Sequence, residues 1–218
     1  MAARAEAERL AHAASRVRWW PSGVALVVLG GVYALVSASL TLGPPWWLLV
    51  LTVLVAPGTF VLRSRGFMRA HRMVAFGTLA ATTVAITASG VYLVQALLSH
   101  TVDAADLLRG GALVWVANVL TFALWYWEVD GGGPAHRHAT QRGSSDFAFP
   151  QTVIGHGADV HWLPDFVDYL FLAFNTSTAF SPTDTMVLAR RAKVLMMYQS
   201  MLSLVTVVVL VARAINAI

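Results

Sequence analysis

Read for the order of apolar and polar positions, the chain falls into long apolar runs separated by short charged or proline-bearing joints. Runs at about 23–41, 46–62, 73–98, 108–127 and 194–212 approach the ~20 residues that carry a helix across a hydrocarbon core. They are continuously apolar, without the period-2 alternation of a membrane-spanning strand. The pattern predicts an all-α, polytopic helical membrane protein of five to six transmembrane helices, with a short helix and a polar break before a long C-terminal helix. Whether the number is five or six turns on residues 165–181. Pro57-Gly58 predicts a kink inside the second run, which neighbouring helices can accommodate by satisfying the freed carbonyls.

Four regions follow. Residues 1–22 form an amphipathic, cytoplasmic lead-in, with Arg4, Arg9, Arg16 and Arg18 ahead of Trp19 and Trp20. A full-length apolar run comes next with no small-residue cleavage site, so the first helix is expected to be uncleaved. Residues 23–127 hold four transmembrane helices, 128–163 a long polar loop, and 164–218 the short helix, polar break and C-terminal helix.

Composition agrees with the pattern: 57% of residues are hydrophobic and 12% charged, against about 25% charged in soluble domains. The net charge of +4 does not point to nucleic acid, because the arginines sit beside apolar runs and act there as topology determinants. The bilayer is the expected partner. Arg63, Arg65, Arg69 and Arg72 place their loop in the cytoplasm, and Asp103 and Asp106 place the next one outside, with the N-terminus cytoplasmic. Cysteine is absent, which removes disulfides, thiolate metal sites and a cysteine nucleophile.

Gly77, Ala81, Ala85 and Ser89 recur every fourth residue and align on one helix face, where another helix can approach closely. That face serves either packing within one protomer or a homo-oligomer seam. Asn118, mid-run, suits a hydrogen bond between helices. In the loop, Glu128, Asp130, His136 and His138, with His156, Asp159 and His161 further on, are residue types that bind divalent metals. Their spacing matches no metal signature, so no metal site is assigned. "DFAFPQ" reads as a docking segment. No glycine-rich phosphate cradle, nucleophile elbow or cofactor fingerprint occurs, so neither an enzyme nor a cofactor is expected.

The stretch "AFNTSTAFSPTDT", residues 173–185, is polar between two apolar segments. Asp165 and Asp168 complement the dipole at the start of the short helix before it. Within the stretch, Ser181 suits a helix cap, Pro182 a first helical position and Asp184 a capping-box acid, which predicts a final helix over 182–216. Asn175, Thr176, Thr178, Ser181 and Asp184 are the candidate site, because polar groups at membrane depth are costly. They either face water in a conduit built from several copies or cap a helical hairpin. If 165–181 crosses, "RRAK" lies outside against the charge tendency; if it dips and returns, "RRAK" stays inside.

"YWEVDGGGP", "DFAFPQ" and "DYLFLAFNTSTAFSPTDTMVLARRAKVLMMYQSMLSLVTVVVLVARAIN" are similar to a family of uncharacterised bacterial integral membrane proteins. The resemblance implies the cytoplasmic membrane of a bacterium and carries no established activity. The C-terminal half distantly resembles the pore module of potassium channels, in which a short helix, a filter, an acid and a long helix follow in order. Thr178 and Asp184 match the filter threonine and the acid, while Phe180, Ser181 and Pro182 stand where the filter has glycine. The resemblance implies a channel-like or transporter-like conduit for a monovalent cation. The alternative is a structural or interaction membrane protein.

Overall fold

The computed structural model describes residues 15–140, 146–154, 162–181 and 184–215. Most of the charged lead-in, His156, Asp159, His161 and Pro182 lie outside the described residues.

Helix α1, Trp20–Ala34, opens with Pro21 in its first turn, where the missing N–H has no intrahelical acceptor anyway. It stops seven residues short of the expected end at 41. Ser37 and Ser39 bond each other at 3.1 Å, the Thr41 hydroxyl donates to Gly43 O at 3.0 Å, and the Tyr33 hydroxyl accepts from Leu42 N at 3.0 Å. These side chains offer the backbone an alternative to continuing the helix. A short 3-10 turn, Ala38–Leu40, leads on to α2, Trp47–Ser64, and Pro57 lies inside α2 without ending it. The α1–α2 contact is the tightest glycine-mediated approach among the described residues. A Cβ on Gly30 would stand 2.8 Å from Leu49 Cα and 3.1 Å from Leu48 O.

Helix α3 spans Met68–Ser99 and begins five residues before the expected 73. Gly66, at φ +78°, completes the turn, so Arg69 and Arg72 ride on the helix rather than in a loop. Helix α4, Ala104–Val129, is the most enclosed element, and Gly110 and Gly111 let Leu40 and Leu210 approach its backbone.

The described residues of 128–163 include short regular elements. These are a 3-10 turn Asp130–Gly132, helix α5 Pro134–Thr140, strand β1 Phe147–Ala148 and helix α6 Pro150–Ile154. Phe147 and Phe149 are buried and pack edge-on against Tyr126, Tyr169 and Trp162. Apolar burial outweighs the glycine and proline content there. Helix α7, Phe166–Thr178, opens with a capping box in which Asp165 and Asp168 satisfy each other's backbone N–H groups.

The last helix corrects an expectation. Helix α8 is Arg190–Ile215, eight residues later than the expected start at 182. The intervening Met186–Val187 forms β2, antiparallel to β1, with Phe147 opposite Val187. Extended pairing there takes the place of the helical turn that Ser181 and Asp184 suggested, and Arg191 is held instead by Asp146.

Contacts along α4 fix the depth of α7. Tyr169 meets Asp130 just past the C-terminal end of α4, whereas Phe174 packs edge-on against Trp115, the twelfth residue of a helix of 26. At 1.5 Å per residue, α7 descends about 20 Å. The chain then returns to the end it left, because β2 pairs beside Tyr126 and Arg191 binds Asp146 next to Gly131. Segment 165–181 therefore leaves from and returns toward the same end of the bundle, the geometry of the re-entrant alternative. Irregular backbone at such depth is tolerated only where protein or water surrounds it.

Among the described residues four helices, α2, α3, α4 and α8, are long and apolar enough to cross a membrane, and α1 is a shorter apolar helix beside them. The α-helical membrane architecture read from the hydropathy pattern is the one observed. One end of the bundle gathers Arg18, Arg63, Arg65, Arg69, Arg72, Arg190, Arg191 and Lys193; the other carries Asp103 and Asp106 with Arg109 and Arg213.

Because the chain has no cysteine, single replacements report on sidedness directly. Cysteines at exposed Arg65 and Lys193 are expected to react with an impermeant maleimide from the same side of the membrane, and one at Asp106 from the opposite side. Labelling of Arg65→Cys and Lys193→Cys from opposite sides would overturn the re-entrant assignment.

Candidate functional site

Two polar assemblies position the break at 175–184. The upper one lies at the arginine-rich end. Asp130 is fully buried; its carboxylate accepts from the Tyr169 hydroxyl and from Asp146 N at 2.9 Å, and lies 4.0 Å from the Arg137 guanidinium. Arg137, also buried, donates to Trp127 O at 3.0 Å and to Asp130 O, and its guanidinium stands 4.9 Å above the Trp127 ring and 5.1 Å above that of Tyr169. Asp146 accepts from Gly131 N and takes both Arg191 Nε (3.0 Å) and Nη2 (2.6 Å) in a bidentate pair. Two carboxylates thus tie the end of α4, the loop, α7 and the first turn of α8 into one block.

The lower assembly sits about halfway down α4. A helix that ends at membrane depth leaves carbonyls without partners. Here α8 supplies them: Gln199 Nε2 donates to Ala173 O and to Ser177 Oγ, both at 2.8 Å, and Ser203 Oγ donates to Ser177 O at 2.7 Å. Gln199 is held in turn by the Tyr126 hydroxyl on its Oε1 and by Asn118 Nδ2 on its carbonyl at 3.3 Å, and Trp115 Nε1 donates to Ser203 Oγ at 3.0 Å. Asn118 is thus an interhelical donor, as its mid-helix place suggested.

The five break residues are not equivalent. Thr176 is buried and its hydroxyl donates to Leu172 O at 2.8 Å. Asn175 is half-buried, and its Nδ2 is enclosed with no hydrogen-bond partner. Thr178 is exposed and bonds back to Phe174 O at 3.0 Å. Ser181 and Asp184 are exposed, and Ser181 does not cap a helix. Phe180 has φ +53°, a left-handed conformation that costs a residue with a Cβ roughly 1–2 kcal/mol. It follows the last turn of α7, where glycine is usual. Thr176, Phe180 and Ser181 line an open groove of about 850 Å³ against Lys193, Met197 and Met201 of α8.

The other candidates are dispersed. On α3, Gly77 is exposed and has open space where a Cβ would point, Ala81 is half-buried, and Ala85 and Ser89 are buried. Glu128, Asp130, His136 and His138 do not converge. Asp130 serves Arg137, and His136 Nδ1 and His138 Nδ1 lie 2.9 and 3.0 Å from the carbonyls of Gly131 and Pro134. Among the described residues no group of three or more His, Cys, Asp or Glu side chains is placed to hold a metal.

Sequence reasoning missed Gln199 and Ser203, whose signal was a polar pair one turn apart in an apolar run. It also missed His71, read as part of a charged loop. His71 is buried with both ring nitrogens unpartnered, and it shares a cavity of about 70 Å³ between α1, α2, α3 and α4 with Glu128, Arg63 and Thr59. No family model, curated protein or solved structure matches the chain.

Removing one partner of a buried ion pair strands the other, a loss of about 3–5 kcal/mol. Asp130→Ala is therefore expected to lower the thermal unfolding midpoint in detergent sharply, whereas exposed Asp184→Asn should stay within about 0.5 kcal/mol of the parent. Equal stability of the two variants would show that the Asp130 assembly does not hold the block together.

Proposed function

We propose that several copies of this chain assemble into a conduit for a monovalent cation, with the re-entrant break 175–184 lining the path. One observation carries the reading: α7 ends at half-depth with its C-terminal end toward an open groove rather than sealed in the bundle. The C-terminus of a helix carries the negative end of its dipole, and an ion leaving water needs oxygen or dipole partners there. Thr178, Ser181 and Asp184 supply exposed oxygens along the return path. The exposed apolar side chains of α8, among them Val194, Met197, Met201 and Leu204, would meet lipid or a neighbouring copy.

The order of helix, break, acid and long helix supports the likeness to a potassium-channel pore module, while Phe180 in place of glycine argues against the same carbonyl filter. By the positive-inside tendency the arginine-rich end is cytoplasmic, which puts the N-terminus inside and the break on the cytoplasmic half of a bacterial inner membrane. A structural or interaction role is the second reading. It is favoured by Thr176 and Ser177, whose hydroxyls bond within the fold.

Purified protein in potassium-loaded liposomes distinguishes the two. The conduit reading expects a protein-dependent potassium leak that Thr178→Ala or Asp184→Asn changes severalfold while the unfolding midpoint stays unchanged. A leak equal to that of empty liposomes would refute it.

A further inference from the structure

We propose that the groove between α1 and α2 at the arginine-rich end is a binding site for the headgroup of an anionic phospholipid. The groove measures about 850 Å³, and Arg18, Arg63 and Arg65 all line it. Arg18 is 68% exposed and, among the described residues, its one ion pair is a long one, 3.7 Å to Asp165. Arg63 is half-buried, and among the described residues no carboxylate lies within ion-pair distance of Arg63 or Arg65. Buried Glu128 lines the adjoining cavity together with Arg63 and attracts its charge from a distance, but makes no ion-pair contact with it and leaves its groove-facing side open. A half-buried guanidinium with no carboxylate in contact is incompletely compensated, and a phosphate is the partner its planar fork suits best.

Arg63 is also pre-positioned. Its guanidinium lies 4.1 Å over the Trp19 ring and 5.8 Å from that of Phe60, which holds its charge at the interface and limits its freedom before any ligand arrives. The apolar rim argues for lipid over a free anion. Trp20 and Phe60, 64% and 63% exposed, flank the basic groove where a tryptophan belt sits at headgroup level. Below them the groove continues along Gly23 and Ala56, where an acyl chain can lie against both helices. Basic pockets of this kind between membrane helices bind anionic headgroups. The site is separate from the break, which lies beside α8.

Full-length protein is reconstituted into nanodiscs containing equal phosphatidylglycerol and phosphatidylcholine, extracted mildly, and its retained lipid counted by native mass spectrometry. Preferential retention of phosphatidylglycerol is expected, falling about fivefold for each arginine replaced in Arg18→Gln and Arg65→Gln. Arg190→Gln, at the same end but on α8, is expected to change nothing. Arg65 is exposed, so its replacement tests the site without disturbing packing. Equal retention of the two lipids by the parent protein would overturn the proposal. So would an equal loss in Arg190→Gln, which would indicate a diffuse basic face, or displacement by millimolar inorganic phosphate, which would indicate a free-anion site.

Discussion

The fold depends on one requirement: a helix that stops inside hydrocarbon must find partners for its last carbonyls. Helix α7 meets it through α8, where Gln199 and Ser203 reach the carbonyls of Ala173 and Ser177. Lipid tails provide no hydrophobic drive between helices, so these directed bonds carry much of what holds α7 at its depth. Gln199 is effective because every polar atom of its amide, and its own carbonyl, is engaged by α4 or α7. Asn118, in the same network, is engaged only through its Nδ2, its Oδ1 having no hydrogen-bond partner.

Above this, the carboxylates of Asp130 and Asp146 do different work. Asp130 balances a buried guanidinium and orients Tyr169, so it governs the entry of α7. Asp146 grips Arg191 and governs the start of α8. The loop between α4 and α7 is thus a structural clamp, with Phe147 and Phe149 as its apolar anchors. The break lies between two anchored points, the end of α7 held by α8 and strand β2 held by β1.

Continuous apolarity and near-20-residue runs showed the helical membrane class plainly, and boundaries set by glycine and charge fell within a few residues. What failed was local reading of capping signals. Ser181 and Asp184 look like a helix start, yet the decisive contacts of that stretch are with Phe147 and Ala148, more than thirty residues earlier, and no local pattern encodes them. The first helix stopped early for a related reason, since the Thr41 and Tyr33 hydroxyls took over backbone bonding just beyond it within an otherwise apolar run. Of the candidate site, Thr178, Ser181 and Asp184 prove exposed and Thr176 internal; composition could not separate them, because that depends on which face α8 covers. Asp130 was visible as a loop acid but not as the partner of Arg137, a pairing made only by the tertiary fold.

The two-residue ladder between β1 and β2 acts as a tether whose length sets a geometric limit. From Thr178 to Met186 the chain has eight peptide steps, and a fully extended chain covers at most about 3.3–3.6 Å per step. Its reach is therefore about 26–29 Å, against the roughly 20 Å that α7 descends. Little more than one helical turn of slack remains. The depth of the break below the arginine-rich face is therefore bounded by a residue count, much as a plumb line is bounded by its cord.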